Sequence, residues 1–515
     1  MSLSERQINE IVEQVVRKIS PELSGQPHPE PRPAAPPEGH PEDRRGSERR
    51  FGRYALIPGS APTSPNGPPE ARRAPAVVRG SRPGIFDELD SATAAAAAAF
   101  EAWGDTSVEV RNRVIEAMRQ TTRELAPQLS QMAVEETGLG NVKDKIQKNL
   151  LCANKTPGTE ILRPMAFSGD HGIAILERAP FGVIGAITPT TNPTETIINN
   201  GIGMIAGGNA VVFNVHPSAK KVSAYFIERL NEAITGAGGP PNLLCALAEP
   251  TIDSAQALMK HKGVRLLCVT GGPAVVKAAM NSGKRAIAAG PGNPPAVVDE
   301  TAHVEKAGRD IVNGASLDNN IVCIVEKEVF AVEEIADRLK KAMVQAGAFE
   351  VTGPAVHRLE KLVVSEGHPV KDWVGRDATK IAEAAGIRAP QGTRLLFAEV
   401  DATHPFVQAE LLMPVIGFVR MPTVEDCIAA AVQAEHGFGH TATMHSTSLD
   451  HLHAMARIIN TSIFVKNGPS YAGLGMTGEG YTSFTIASPT GEGLTTALSF
   501  TRERRCTLKD YFRIV

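Results

Sequence analysis

A chain of 515 residues, 42% hydrophobic and 21% charged, can hold two or more domains with sizeable cores, on a prior of about 150 residues per domain. Its formal net charge of −3 and pI near 6.6 give no electrostatic reason to expect nucleic acid or an anionic membrane as partner. The six cysteines (Cys152, Cys245, Cys268, Cys323, Cys427 and Cys506) form no C-x-x-C pair and no zinc-ligand spacing with histidine, so no metal and no disulfide framework is expected. With no apolar run near the ~18 residues of a membrane span and no signal-peptide core, the chain reads as a cytoplasmic protein.

Leu3, Ile8, Ile11, Val12, Val15, Val16 and Ile19 recur at three- and four-residue spacings, which predicts an amphipathic helix over 1–20. Ser4 can cap it, and Ser20-Pro21 stops it. Between 21 and 80, 14 of 60 residues are proline, and Arg44, Arg45, Arg49, Arg50 and Arg53 add charge, so this stretch reads as a disordered linker. A short helix on such a tether cannot bury its stripe locally. Its acidic and basic residues cancel, which disfavours a lipid surface. It either docks in a partner's groove or packs back on its own body.

From Gly84 the sequence becomes dense. Ile85-Phe86 through the alanine-rich 92–102 reads as helix, followed by helices over 107–125 and 127–137. Residues 161–178 carry Ser168-Gly169-Asp170-His171-Gly172 between two extended pieces and read as a β-hairpin suited to oligomer contacts. Apolar strands at 182–187, 209–213, 243–247, 264–269 and 285–289 then alternate with helices at 194–206, 218–234, 251–260 and 273–281. Such alternation predicts a parallel sheet covered on both faces, with ligands at the carboxyl ends of its strands: 188–192, 214–217 and 270–272. Cys245 and Cys268 fall inside strands and read as core. A second α/β unit follows, with strands at 326–332, 394–398, 415–419, 441–445 and 462–466. Residues 494–515 read as an extended arm paired with the hairpin of a neighbouring subunit.

Between the two units lies Ser316-Leu317-Asp318-Asn319-Asn320-Ile321-Val322-Cys323-Ile324-Val325. It sets a thiol at the end of a helix and the mouth of a strand. A cysteine packs by default as a small hydrophobe, so a catalytic reading of Cys323 depends on what surrounds it. Cys152, Cys427, His436, His440 and His445 are set aside as structural.

Asn192 stands in Thr188-Pro189-Thr190-Thr191-Asn192-Pro193, and His216 precedes Pro217 and Ser218. Thr270-Gly271-Gly272-Pro273 opens a helix that carries Val275, and Glu410 stands in Glu410-Leu411-Leu412-Met413-Pro414. In this order, with Cys323, these runs resemble the aldehyde dehydrogenase superfamily, in its CoA-acylating branch, over roughly 85–515. The resemblance implies an α/β fold with a Rossmann-type parallel-sheet cofactor domain, a second α/β catalytic domain, and an oligomerisation hairpin and arm. The implied spans are a targeting helix at 1–20, a linker at 21–80, an NAD/CoA-binding domain at 81–316, a catalytic domain at 317–493 and an arm at 494–515.

The resemblance also implies roles. Cys323 is the nucleophile and Asn192 turns its amide to the reacting carbonyl. Thr188, Pro189, Thr190, His216, Pro217, Thr270, Gly271, Gly272, Val275 and Glu410 contact the cofactors NAD and coenzyme A. His216 stands where the family usually has a ribose-binding lysine. Ala288, counted back from Asn293-Pro294, replaces the glutamate with which hydrolytic members activate water. Water attack on a thioester needs such a base, whereas a thiol with pKa about 8.5 needs little help, so the missing base favours CoA as acyl acceptor. Relatives of bacterial microcompartments carry a similar tethered helix that docks cargo on the shell. The expected activity is therefore CoA-acylating oxidation of propionaldehyde, with acetaldehyde close, by a homo-oligomer (dimer or tetramer) in a microcompartment lumen; the alternatives are a hydrolytic or phosphorylating aldehyde dehydrogenase and an inactive dehydrogenase-like scaffold.

Overall fold

The computed structural model describes residues 80–513, so the helix read over 1–20 and nearly all of the linker lie outside the described residues. Ile85–Phe86 is a short strand, β1, rather than the start of a helix, because its two buried side chains pair in parallel with a later strand. Three helices follow: α1 (Leu89–Gly104), α2 (Val108–Thr137) and α3 (Val142–Lys155). The two helices expected over 107–137 are one, α2. Pro127 sits inside it, and the stripe Val114, Met118, Thr122, Ala126, Leu129 and Ala133 stays buried through that point. Packing along one face thus outweighs the single ladder bond that proline removes. Helix α3 was not anticipated from the sequence.

The hairpin is β2 (Met165–Gly169) and β3 (Gly172–Pro180). Next come β4 (Val183–Ile187), α4 (Pro193–Ala206), β5 (Ala210–Asn214), α5 (Lys220–Gly236), β6 (Leu244–Leu247), α6 (Ile252–Lys260), β7 (Val264–Thr270), α7 (Pro273–Met280) and β8 (Ala286–Ala289). These strands form a parallel sheet in the order β1-β6-β5-β4-β7-β8. The chain steps outward from β4 to β6, then returns to β4's other side at β7. A sheet of this kind opens a crevice at that reversal, outside the carboxyl ends of β4 and β7.

A second parallel sheet runs β11-β14-β15-β10-β9-β16-β17. Its strands are β9 (Pro295–Val298), β10 (Glu328–Val332), β11 (Ala348–Glu350), β14 (Leu395–Glu399), β15 (Val415–Met421), β16 (Thr441–His445) and β17 (Ile463–Lys466), with a small hairpin β12 (Val364–Ser365) and β13 (His368–Pro369) between. Because β9 already belongs to this sheet, the chain changes sheets near 290–294, ahead of the boundary read at 316. Leu317, Val322, Ile324 and Val325 nevertheless pack in the core of the first sheet, with Leu474, Phe484, Ile486 and Phe500. The stretch carrying Cys323 is therefore gripped by one core while β10, just after it, runs inside the other sheet.

After β18 (Ile486–Ala487) and β19 (Gly493–Leu494), the arm forms β20 (Thr501–Lys509). It pairs antiparallel along the whole of β3 in the same chain, not with a neighbour's hairpin. Among the described residues no helix is long and apolar enough to cross a membrane.

Candidate active site

Where β4 ends, residues 188–192 lead into α4, with Asn192 at its N-cap. The Asn192 side chain does not cap the helix. Its Oδ1 accepts from Lys148 Nζ at 2.5 Å, and its Nδ2 donates to Thr191 Oγ1 at 3.1 Å. A lysine ammonium has only donors, so the atom facing it must be oxygen, which settles the amide's orientation and leaves an N–H for the cleft that Asn192 lines.

Cys323 is reached through a turn in which Asp318, Asn319 and Asn320 all have positive φ (48°, 54° and 66°). Asp and Asn tolerate this region best, yet each such residue still costs on the order of 1 kcal/mol and must be held by its surroundings. The holding groups are specific. Asp318 N–H donates to Asp144 Oδ2 at 2.8 Å, and Asn141 N–H donates to Asp318 Oδ1 at 2.8 Å. Asn319 Nδ2 donates to Gly375 O, and Asn320 Nδ2 donates to Ala315 O and Glu326 O. Beneath the turn, Lys327 is buried and its Nζ donates to Asn320 O and Oδ1, both at 2.7 Å.

Cys323 is partly exposed. Burial of its surroundings, then the nearby Glu410 carboxylate, pushes Cys323 up to about 12, against the opposing pull of Lys327. Glu410 is itself pushed up to about 7 by burial, opposed by Lys327 and a hydrogen bond from Gly292 N–H. A thiolate therefore forms here only with help, and Glu410 changes charge within the neutral range.

Both sides open on one cleft of about 570 Å³. Of the residues singled out in the sequence, Pro189, Thr190, Asn192, His216, Thr270, Gly271, Gly272, Cys323 and Glu410 line it; Thr188, Pro217 and Val275 do not. Thr188 is buried behind the end of β4, Pro217 faces out beyond His216, and Val275 packs on the loop, where a Cβ on Gly271 would lie 2.7 Å from its Cγ1. His216 Nδ1 accepts from Ser218 N–H at 3.1 Å. Thr190 Oγ1 is buried without a partner, and a Cβ on Gly272 would meet nothing within 4 Å. An open glycine loop ahead of a helix and an unpaired hydroxyl suit a phosphorylated ligand at the reversal of the sheet.

Ala288 is fully buried, its N–H donates to Thr490 Oγ1, and Gly290 and Pro291 form the cleft wall instead. The position read as a missing base thus lies in the core. Glu410 is the one carboxylate among the described lining residues.

Sequence reasoning missed Lys145 and Lys148, together with Glu195 and Lys327. It also set aside His436, which lines the cleft and whose Nε2 pairs with Gln408 O at 2.9 Å. His440 and His445 are buried, and burial pushes both down to about 4. The signal for Lys145 and Lys148 was available. They share a stripe with Asn149 and Cys152 at positions i, i+3, i+4 and i+7 of α3, a face that is buried throughout. Together, a nucleophilic thiol and an oriented amide on one cleft can add to a carbonyl and stabilise the oxyanion formed.

The sequence matches the aldehyde dehydrogenase family over residues 86–484. It is 50% identical over 439 residues to acetaldehyde dehydrogenase (acetylating) EutE of Salmonella typhimurium, covering 84% of this chain and 94% of that protein. A propionaldehyde dehydrogenase of Rhodopseudomonas palustris, solved with bound CoA and an acylated cysteine, matches with a TM-score of 0.82 and 49% identity over 83% of this chain and 98% of that one. A propionaldehyde dehydrogenase from the Clostridium phytofermentans fucose utilisation bacterial microcompartment gives 0.83 and 47%, over 84% of this chain and 100% of that one. The chain belongs to the aldehyde dehydrogenase family.

Proposed function

We propose that this protein is a CoA-acylating aldehyde dehydrogenase that converts a short aldehyde to its acyl-CoA with reduction of a nicotinamide dinucleotide. The observation that carries the reading is a partly exposed Cys323 on the same cleft as Asn192, whose amide is turned by Lys148. The relatives named above are acetylating and propionaldehyde enzymes, and one was solved with CoA and an acylated cysteine.

In this reading the Cys323 thiolate adds to the aldehyde carbon. The Asn192 amide and the Cys323 N–H donate to the oxyanion, a contact worth roughly 2.7–4 kcal/mol of barrier per donor. The dinucleotide, when bound, supplies the hydride acceptor. Thr190, His216 and the loop 270–272 would hold it, with Glu410 on its ribose. The thioester left on Cys323 is then attacked by the CoA thiolate, and the carbon–sulfur bond to Cys323 breaks to return its thiolate. Water competes poorly, since Glu410 is the one carboxylate lining the cleft among the described residues and would be taken up by the dinucleotide's ribose.

Propionaldehyde is the favoured substrate, with acetaldehyde close. The hairpin and arm serve a dimer or tetramer, and residues 1–20 dock the enzyme on a microcompartment shell so that it works in the lumen. Rates across two- to four-carbon aldehydes with CoA present test the substrate. Deletion of 1–20 is expected to release the enzyme from shells without loss of activity, and lost activity would point to the helix packing on its own body. Cys323→Ala is expected to abolish acyl-CoA formation; retention of even about a tenth of the activity would refute the assignment.

A further inference from the structure

Beside the cleft, four charged side chains are sealed from solvent: Lys145 and Lys148 on α3, Glu195 on α4 and Asp318 in the turn before Cys323, none more than 1% exposed. Lys148 Nζ lies 2.5 Å from Asp318 Oδ2 and 3.1 Å from Glu195 Oε1, and Lys145 Nζ lies 3.0 Å from Asp318 Oδ2. Two cations thus face two carboxylates. Interior ion groups of this kind contribute little net stability, because desolvation offsets their attraction, so stability alone does not account for them.

The hydrogen bonds they make to the chain are more telling. Lys145 donates to Thr191 O at 3.1 Å, and Lys148 donates to Asn192 Oδ1 at 2.5 Å. One turn of α3 therefore grips both the backbone before Asn192 and its side chain, while the shared Asp318 ties that grip to the turn that presents Cys323. The Asn192 amide is nearly symmetric in shape. Rotated by half a turn it would aim its oxygen at the cleft and oppose a developing oxyanion. A cation at Oδ1 forbids that rotation and polarises the amide, which makes its N–H a stronger donor.

We propose that Lys148 is a positioning residue that acts through Asn192, keeping the amide N–H turned to the reacting carbonyl oxygen and, through Asp318, in register with the Cys323 turn. The inference rests on the reading of Asn192 as the oxyanion donor.

The test is a mutant cycle in the full-length enzyme, with acyl-CoA formation from propionaldehyde as readout. Lys148→Met is made together with Glu195→Gln so that the cluster stays neutral, and the pair is compared with Glu195→Gln alone. The loss expected in kcat is about 100-fold, with KM for the dinucleotide and CoA little changed. Adding Asn192→Ala to that pair should cost no more than about threefold further, because the amide is already disabled. Full additivity, or an unchanged kcat in the Lys148→Met pair, overturns the proposal. If that pair does not fold, Lys148→Gln, whose amide can still donate to Asn192, replaces it. It should lose about threefold to tenfold in kcat, again non-additively with Asn192→Ala, and additivity there overturns the proposal equally. The two readings fail differently. If Asn192→Ala alone leaves kcat unchanged, the oxyanion role falls and the role of Lys148 falls with it. If Asn192→Ala is costly but the cycle is additive, only the role of Lys148 falls.

Discussion

On the Asn192 side of the cleft, Lys145, Lys148, Glu195 and Asp318 are sealed, mutually paired and balanced in charge. On the Cys323 side, Lys327 is buried too but, among the described residues, donates to neutral oxygens of Asn320 and Val322, while Cys323 and Glu410 share its field. The first set is locked. Burial would protonate Asp318, but Lys145 and Lys148 outweigh it and hold the carboxyl below its ordinary value; Asp318 and Glu195 likewise keep Lys148 charged against burial, while burial holds Lys145 below its ordinary value despite the same two carboxylates. The second set is not locked: burial pushes Glu410 up to about 7, so its charge changes in the neutral range, while Cys323, pushed up to about 12, stays a thiol there until it is helped. In the proposed reading, one side is a fixed framework for an oxyanion and the other is where ionisation changes during turnover.

The largest expected effect comes from breaking the locked side. Asp318→Asn leaves two buried lysines short of a counter-charge and should cost about 3–5 kcal/mol, read by urea denaturation. Because the folded carboxyl lies below its unfolded value, its contribution is present above the unfolded value and fades only as pH falls toward the folded one. The penalty should therefore stay flat from pH 5 to 8. A penalty that varied across that range would mean the cluster is not locked.

A smaller effect sharpens the Cys323 side. The rate of Cys323 alkylation by iodoacetamide should climb through the neutral range without a plateau, since the thiol is pushed up to about 12, and by less than tenfold per pH unit where Glu410 ionises. Glu410→Gln removes a negative charge that holds the thiol up, so alkylation should quicken by about threefold above pH 8, where Glu410 is ionised. Below pH 6, where Glu410 is already neutral, the variant and the parent should match. Equal rates at pH 9 would contradict the coupling.

The two sides were also unequally legible. Cys323, Asn192 and Glu410, singled out through short runs in the family's order, all line the one cleft. Lys145 and Lys148 could not be paired from sequence, since their partner Asp318 lies 173 residues from Lys145 and lysine on a helix reads by default as solvated. Their place on the buried stripe of α3 was the available clue. The α/β alternation predicted β4 to β8 of the first sheet because those strands are mostly apolar, while the two-residue β1 was too short to show. β9 escaped because Pro294 and Pro295 stand at its start, a place where a strand tolerates proline. Pro127 inside α2 and the arm's pairing with its own hairpin depended on tertiary packing, which local pattern does not record.

The measurement that bears most directly on the role of Cys323 is a single-turnover experiment on the full-length enzyme with dinucleotide and propionaldehyde, followed by mass analysis of the peptide that carries Cys323. The expected result is a propionyl thioester on Cys323 that accumulates without CoA and is converted to propionyl-CoA when CoA is added. Release of free propionate at the same rate without CoA, or an acyl group on any residue but Cys323, would contradict it.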